Sequence, residues 1–284
     1  MNTVSAPEEN KKTAPLFHRL VAVLDSLAPE RGAFSYAADW ADRLHLPLCG
    51  VTLPVRGERA QASNGKVSGV VRAGESALER ACAGFCAARG ISWEPSGWLA
   101  ISAGSECPLA AGDLLVFGQA LPSASKQLLL RQAQRSETLA MLVCPNTWSP
   151  VTRVLLVDQE SEASRRLLEK AAVICRALRA ELIVLTAARS ERTAFPRQHV
   201  AEEALASCGV KVDFDILIGS ELRMAVSGVA RWRRCQVVLM ERHAAPPWWR
   251  WLRGDKIKGL LGGTDLPAFL FLPCPATANY GSVG

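Results

Sequence analysis

Short apolar runs alternate along the chain with longer segments in which apolar residues recur every three or four positions. Residues 20–24 and 114–117 are continuous apolar runs of the first kind, and residues 162–179 show the second pattern. A short apolar run predicts a buried strand, whereas a 3.6-residue period predicts a helix that buries one face. Strands that alternate with helices in this way predict βαβ crossovers and a parallel sheet.

The order of these elements occurs twice. An apolar strand that ends in Asp stands at residues 20–25 and returns at 154–158, and each copy closes on an apolar strand that runs into proline, at 141–145 and 269–273. A repeat of roughly 130 residues has the size of an ordinary domain and is too long for a solenoid period. We therefore predict two tandem α/β domains. Their expected bounds are 16–148 and 151–275, with a disordered leader over 1–15 and a tail over 276–284.

The pattern assigns most elements of both copies. In the first copy the predicted strands are 20–24, 46–53, 91–101, 114–117 and 139–144. Its predicted helices are 30–44, 74–89 and 125–137, with a surface loop over 54–69. In the second copy the predicted strands are 153–157, 181–186, 211–218, 236–240 and 267–272. Its predicted helices are 162–179, 197–208, 221–234 and 255–261. Only residues 102–112 separate the third and fourth strands of the first copy, which is too short for a regular crossover.

The composition is that of a globular chain, with 49% hydrophobic and 21% charged residues among 284. No apolar run approaches the ~18 residues of a membrane span, and the polar first residues do not resemble a secretory signal. We therefore expect a cytoplasmic protein whose nine cysteines are reduced. Four of these cysteines lie among apolar residues and are expected to be buried: Cys144, Cys175, Cys208 and Cys235. Scattered histidines and the lack of a CxxC motif speak against a zinc site.

The positive charge is concentrated in one window. Residues 231–258 hold eight Lys or Arg against Glu241 and Asp255, so this window carries the whole formal net charge of +6. Four of the eight tryptophans lie in the same window: Trp232, Trp248, Trp249 and Trp251. Aromatic residues beside cations are typical of interaction surfaces.

The order of elements, with strand-end aspartates and Gly219-Ser220 before a helix, resembles the universal stress protein family in its tandem form. The resemblance covers residues 17–147 and 151–273. It implies a five-stranded, doubly wound, Rossmann-like fold in each copy, with the two copies docked through their last strands. It also implies that ATP or AMP is a possible ligand, because many members of the family bind one of them.

The family's nucleotide fingerprint, Gly-x-x-Gly-x9-Gly-(Ser or Thr) after the fourth strand, is degenerate in both copies. Its glycines let main-chain amides approach the phosphates, and its last pair opens a helix. The matching positions in the second copy are Glu241, Ala244, Gly254 and Asp255, and those in the first are Gly118, Leu121, Arg131 and Gln132. One glycine of three remains in each, and two carboxylates of the second copy oppose a triphosphate. We expect ATP binding to be weak or lost, with a dissociation constant above about 100 μM.

By family position, a nucleotide would be bound by a set of residues that spans both copies: Asp25, Gly118, Asp158, Gly219, Ser220, Arg242, Gly254 and Asp255. The family implies that the strand-end aspartates, Asp25 and Asp158, face the nucleoside. The residues alone also fit a helix N-cap or a turn carboxylate. Cations of the basic window, Arg242 and Arg253 among them, could take over from the missing main-chain cradle.

Three functions remain open. The first is a non-enzymatic stress-response protein that acts through protein contacts, and the second is an ATP- or AMP-binding regulator with at most slow hydrolysis. The third is a module that binds a membrane surface or a partner through the basic, Trp-rich loop 246–253. Its interaction residues would be Trp248, Trp249, Arg250, Trp251 and Arg253, unless these tryptophans pack into the second copy. No catalytic motif is present, DNA binding is not expected, and the copies are expected to pair within the chain, with a homodimer possible.

Overall fold

The structure is a computed structural model that describes residues 16–24, 32–52, 69–94, 109–136, 138, 140–158, 164–219, 222–241 and 266–271. The strands within these residues are β1 Arg19–Leu24, β2 Leu48–Thr52, β3 Trp93–Glu94, β4 Asp113–Gly118, β5 Ala140–Cys144, β6 Arg153–Asp158, β7 Glu181–Ala188, β8 Val212–Ile218, β9 Val237–Glu241 and β10 Ala268–Phe271. The helices are α1 Ala33–Leu44, α2 Gly69–Ala87, α3 Ser123–Arg135, α4 Ser164–Leu178, α5 Glu191–Leu205 and α6 Leu222–Trp232. This is the α/β class that the sequence predicts.

All ten strands form one continuous sheet in the order β3-β2-β1-β4-β5-β10-β9-β6-β7-β8. The first half, β1 to β5, and the second half, β6 to β10, therefore have the same internal strand order. Every pairing is parallel except the central one, in which β5 runs antiparallel to β10 and Leu142 lies opposite Phe269. The predicted meeting of the two last strands is confirmed. The bounds of the two predicted domains stay a prediction.

The centre of the sheet is built from strands that are apolar along most of their length. Every residue of β4 and β5 is buried, as expected for strands covered on both faces. The outer strands differ, since β8 is only partly buried and β3 has two residues. Hydrophobic strand runs thus lie where helices cover both faces, and the mixed strand β8 lies at an edge.

Helices cover both faces of the sheet, and each face has its own core. Side chains alternate along β1, so that Leu20, Ala22 and Leu24 face one core and Val21 and Val23 face the other. The first core includes residues of α1, α2, α4 and α5, whereas the second includes residues of α3 and α6. This arrangement is the predicted doubly wound fold.

Helix α1 contacts both halves of the molecule. The ring of Trp40 stacks on Phe269 of β10, with centroids 5.3 Å apart. The guanidinium of Arg43 donates to the main-chain oxygen of Leu178, at the end of α4, at 2.8 Å, and to that of Val151 at 3.4 Å. Residues of one half therefore complete the core and the helix ends of the other.

Several predicted bounds are wrong. Helix α5 begins at Glu191 rather than at residue 197, and Pro196 lies inside it. Helix α2 begins at Gly69, the predicted end of a loop. The third strand begins at Trp93 rather than at residue 91, and its predicted part over 95–101 lies outside the described residues. Cys208 is only partly buried. The predicted helix 255–261, the leader, the tail and residues 54–68 lie outside the described residues.

Within the described part of the chain, no helix combines the length and apolar character that a membrane span requires.

Candidate functional site

The antiparallel contact between β5 and β10 makes the strands of the two halves point in opposite directions, so the two candidate clefts lie at opposite ends of the strands. The carboxyl end of β4, with Gly118, lies at one end, and the carboxyl ends of β6 and β8, with Asp158 and Gly219, lie at the other. The structure therefore does not bring Gly118 together with Asp158. The other predicted site residues lie outside the described residues: Asp25, Ser220, Arg242, Trp248, Trp249, Arg250, Trp251, Arg253, Gly254 and Asp255.

Asp158 is the last residue of β6 and forms an ion pair with Arg197 of α5. Nη2 of Arg197 donates to Oδ2 of Asp158 at 2.9 Å and to the main-chain oxygen of Asp158 at 3.1 Å. Nη1 donates to the main-chain oxygen of Ala187, near the end of β7, at 2.9 Å. One guanidinium thus occupies three acceptors at the carboxyl ends of two neighbouring strands.

The pair is largely shielded from water. The Asp158 side chain is 5% exposed and that of Arg197 is 19% exposed. Two charges in such surroundings persist only when hydrogen bonds replace water that they lose. The three donated bonds satisfy part of the guanidinium and one of the two carboxylate oxygens. Residues 159–163, which separate Asp158 from the first described residue of α4, lie outside the described residues, so the interpretation of Asp158 as a helix N-cap stays a prediction.

Two buried polar atoms beside this pair have no hydrogen-bond partner among the described residues. They are Oδ1 of Asp158 and Oγ1 of Thr186. The strand register places Thr186 of β7 directly opposite Asp158 of β6, so both side chains project from the same face of the sheet. A carboxylate oxygen accepts and a hydroxyl both donates and accepts, so these atoms could bind one small polar group.

Gly219 follows the edge strand β8 and is separated from Asp158 by β7. Its amide donates to the main-chain oxygen of Ala188 at 3.1 Å, and its φ of 128° is a conformation that favours glycine. The backbone geometry accounts for this glycine, because it turns the chain at the end of the edge strand.

The corresponding region of the first half is a tight connection. Only residues 119–122 join β4 to α3, and the side-chain amide of Gln119 donates to the main-chain oxygen of Leu266 at 3.1 Å. Arg131 and Gln132, which match the end of the nucleotide fingerprint, lie near the end of α3 rather than at a helix start. The family correspondence assumed for these two positions is therefore wrong.

Arg197 is the site residue that sequence reasoning missed. Ala194, Ala201 and Leu205 form the buried stripe of α5, and Arg197 falls on the same face at helical spacing. A cation on an apolar stripe indicates a buried carboxylate partner. The wrong start assigned to α5 placed Arg197 at a helix terminus, where cations need no such partner.

Other chemical groups of the described residues offer little reactivity. Burial raises the pKa of the Cys82, Cys175 and Cys235 thiols to about 12, which keeps them protonated and poorly nucleophilic. Among the described residues, no group of three or more His, Cys, Asp or Glu is placed to hold a metal ion.

Comparison with known proteins gives the fold. No protein-family model and no curated protein sequence matches the chain. A universal stress protein from Archaeoglobus fulgidus DSM 4304 superposes with a TM-score of 0.62, over 92% of this chain and 99% of that one, at 13% identity. The chain has the universal stress protein fold. This confirms the fold that the resemblance implied.

Two further structures with the universal stress protein fold were matched. A putative universal stress protein from Pseudomonas aeruginosa UCBPP-PA14 has a TM-score of 0.55 and 14% identity, over 92% of this chain and 95% of that one. A universal stress protein in complex with cAMP covers 44% of this chain and 98% of its own, with a TM-score of 0.37 and 16% identity.

Proposed function

We propose that the chain is a non-enzymatic, cytoplasmic, universal stress protein-like protein that acts through protein contacts and binds ATP weakly or not at all. The observation that carries this proposal is the buried ion pair between Asp158 and Arg197. Asp158 stands at the strand end that faces the nucleoside in nucleotide-binding members of the family, and here a side chain of the protein itself occupies Oδ2 of its carboxylate.

A ligand that needed these acceptors would have to displace Arg197. The displaced guanidinium would leave three hydrogen bonds at the ends of β6 and β7. Breaking a buried ion pair costs about 3–5 kcal/mol. Because each 1.4 kcal/mol is a factor of ten, this cost would lower nucleotide affinity by roughly two to three and a half orders of magnitude.

The first half supports the same proposal independently. A phosphate-binding loop needs several main-chain amides in front of a helix N-terminus. Residues 119–122 leave no room for such a loop between β4 and α3, and Leu121 is buried. A triphosphate at this end of β4 would therefore lack the usual cradle.

Calorimetric titration of the purified protein with ATP and AMP tests the proposal. We expect dissociation constants above about 100 μM for both nucleotides, and no release of phosphate from ATP above the buffer rate. Micromolar affinity, or repeated turnover of ATP, would overturn it. The Asp158→Asn variant is the control, since its isotherm should match that of the wild type if the carboxylate is already occupied.

A second candidate is an ATP- or AMP-binding regulator with at most slow hydrolysis. Oδ1 of Asp158 and Oγ1 of Thr186, buried side by side without a described partner, favour it. Mass spectrometry of small molecules released from the natively purified protein would detect a retained nucleotide. Its presence in the wild type and its loss in Thr186→Val would support this candidate over the first.

A further inference from the structure

Trp232, the last residue of α6, presents a large aromatic surface to solvent. Its side chain is 71% exposed, more than any other large hydrophobic residue recorded as exposed in the described part. It belongs to the basic window of the sequence. Because α6 ends where β9 begins, Trp232 lies at the amino ends of the strands of the second half, opposite to the strand ends that carry Asp158. An exposed tryptophan of this size is costly to leave in water and is typical of an interface residue.

The ring of Trp232 is held in place by charged groups. The guanidinium of Arg233 lies 4.4 Å from the ring centroid, in a cation–π contact. Arg233 itself donates from Nε to Oδ2 of Asp215 at 2.8 Å and forms a second ion pair with Asp213 of the same strand. The aromatic ring is therefore fixed before any partner arrives, which lowers the entropy that binding would cost.

Exposed arginines flank Trp232 along the chain. Arg231 and Arg234 are both exposed. Main-chain hydrogen bonds from Glu181 to Thr152 and from Gln236 to Arg153 bring the starts of β7, β6 and β9 to the same end of the sheet. Among the described residues, Arg234 forms no ion pair with a carboxylate.

Carboxylates are interleaved with these cations. Glu181 pairs with Arg153 and Lys211, and Asp213 and Asp215 pair with Arg233. A nucleic acid backbone would meet these negative charges along its path, and its affinity depends on an unbroken series of cations. A protein segment with one apolar residue and a few carboxylates matches the arrangement better. Its carboxylates are separate groups that can pair with individual arginines, whereas a nucleic acid backbone carries a phosphate at every nucleotide.

We propose that Trp232, Arg231 and Arg234, called here the Trp232 surface, bind an acidic segment of a protein partner. An apolar side chain of that segment would pack on the indole ring, and its carboxylates would pair with the arginines. The proposal rests on the proposed function in one respect, since it names the surface through which the protein contacts would be made.

Selection from a phage-displayed library of random 12-residue peptides on the immobilised protein tests this assignment. The selected peptides are expected to be enriched in Asp and Glu around an aromatic or aliphatic residue. In fluorescence anisotropy, a labelled selected peptide should bind Trp232→Ala and Arg234→Glu at least about tenfold more weakly than the wild type. Its affinity should also fall as salt is raised.

Trp148→Ala is the matched control, because Trp148 is also exposed but lies in the connection between the halves. It should bind the peptide as the wild type does. Unchanged binding by Trp232→Ala, peptides without acidic enrichment, no enriched peptide at all, or tighter Trp232-dependent binding of a labelled 12-nucleotide oligo(dT) would each overturn the assignment. The nucleotide titration concerns the carboxyl ends of the strands of the second half, where Asp158 lies, so its outcome is independent of the peptide-binding result.

Discussion

The contact between Asp158 and Arg197 shows how one side chain can change what a strand end does. A carboxylate at the end of a central parallel strand is well placed for a ligand. Here the same carboxylate accepts from a helix of its own half and is shielded from water. The sequence places Asp158 correctly at the strand end, but no local pattern connects it with a residue in α5. Pairings of this kind depend on tertiary packing.

Replacing Arg197 by Met should destabilise the protein by about 3 kcal/mol or more, because it leaves the Asp158 carboxylate buried without its cation. Urea denaturation followed by circular dichroism measures the change. Arg165→Met is the matched control, since the pair between Arg165 and Glu169 is exposed and should contribute less than about 0.5 kcal/mol. Equal losses in the two variants would show that the buried pair does not stabilise the fold.

Among the described residues, three that are not glycine follow helices in the left-handed conformation: His45 with φ 54°, Arg179 with φ 51° and Arg234 with φ 55°. His45 ends α1, and its amide donates to the helix as in a common C-terminal cap. Glycine is preferred at such positions because it has no Cβ to strain.

His45→Gly should therefore raise the free energy of unfolding, by roughly 0.5 kcal/mol or more. Thermal and urea unfolding of this variant and of His45→Ala separate the two possible causes. Loss of the imidazole alone would change both variants alike, whereas relief of backbone strain stabilises only the glycine variant.

At the level of elements, the edge strand β8 carries its own protection against pairing with other chains. Asp213 and Asp215 alternate with apolar residues along the strand and bind Arg233 from the end of α6. Charges that project inward from an edge strand oppose the addition of another strand. The mixed composition of β8 thus follows from its position in the sheet.

The double variant Asp213→Val/Asp215→Val should self-associate at concentrations where the wild type does not, because it exposes a continuous apolar edge strand. Sedimentation velocity over a concentration series measures this change. Glu191→Val, which removes an exposed charge at the start of α5, is the control and should sediment as the wild type does. A double variant that sediments like the control would mean that the edge is protected in another way.

The starts of β6, β7 and β8 are joined by Glu181. Its carboxylate accepts from Lys211 and Arg153 at 2.8 Å each, and these hydrogen bonds lower its pKa from the usual 4.5. A depressed carboxylate pKa contributes stability that is present above the unfolded-state value and is lost as the pH falls through the folded-state value. The contribution should thus disappear below about pH 4.5.

Glu181→Gln should flatten the stability profile in that range, as measured by urea midpoints at successive pH values, and leave the profile between pH 6 and 8 parallel to that of the wild type.

The sequence predicts the elements well where local pattern and packing agree. Every described strand falls on a predicted one, because short apolar runs of this length are typical of buried strands. Helix starts are predicted less well. Helix α5 begins at Glu191 although Pro196, which lacks a main-chain donor, lies inside it. The short strand β3 is fixed by its pairing with β2 rather than by its own residues. The candidate site depends on contacts between elements, and the sequence therefore located Asp158 but not Arg197.

At the scale of the molecule, the two halves form one sheet and share their cores. Phe269 of the second half lies between Trp40 and Phe17 of the first, with centroids 5.3 Å and 6.1 Å away. All three side chains are buried. Cores that interpenetrate in this way should unfold together, since neither half can lose its structure without exposing apolar surface of the other.

Trp40→Ala provides the test. Removing a fully buried indole that stacks across the central pairing should cost about 3–5 kcal/mol. The variant should still unfold in one transition, and hydrogen exchange should lose protection in β1 and in β6 to the same extent. Trp148→Ala, a change in an exposed indole, should alter stability by less than about 0.5 kcal/mol. If Trp40→Ala instead lost protection only in the first half while β6 to β8 kept theirs, the halves would be independent folding units that merely touch. The single-sheet architecture would then describe geometry without cooperativity.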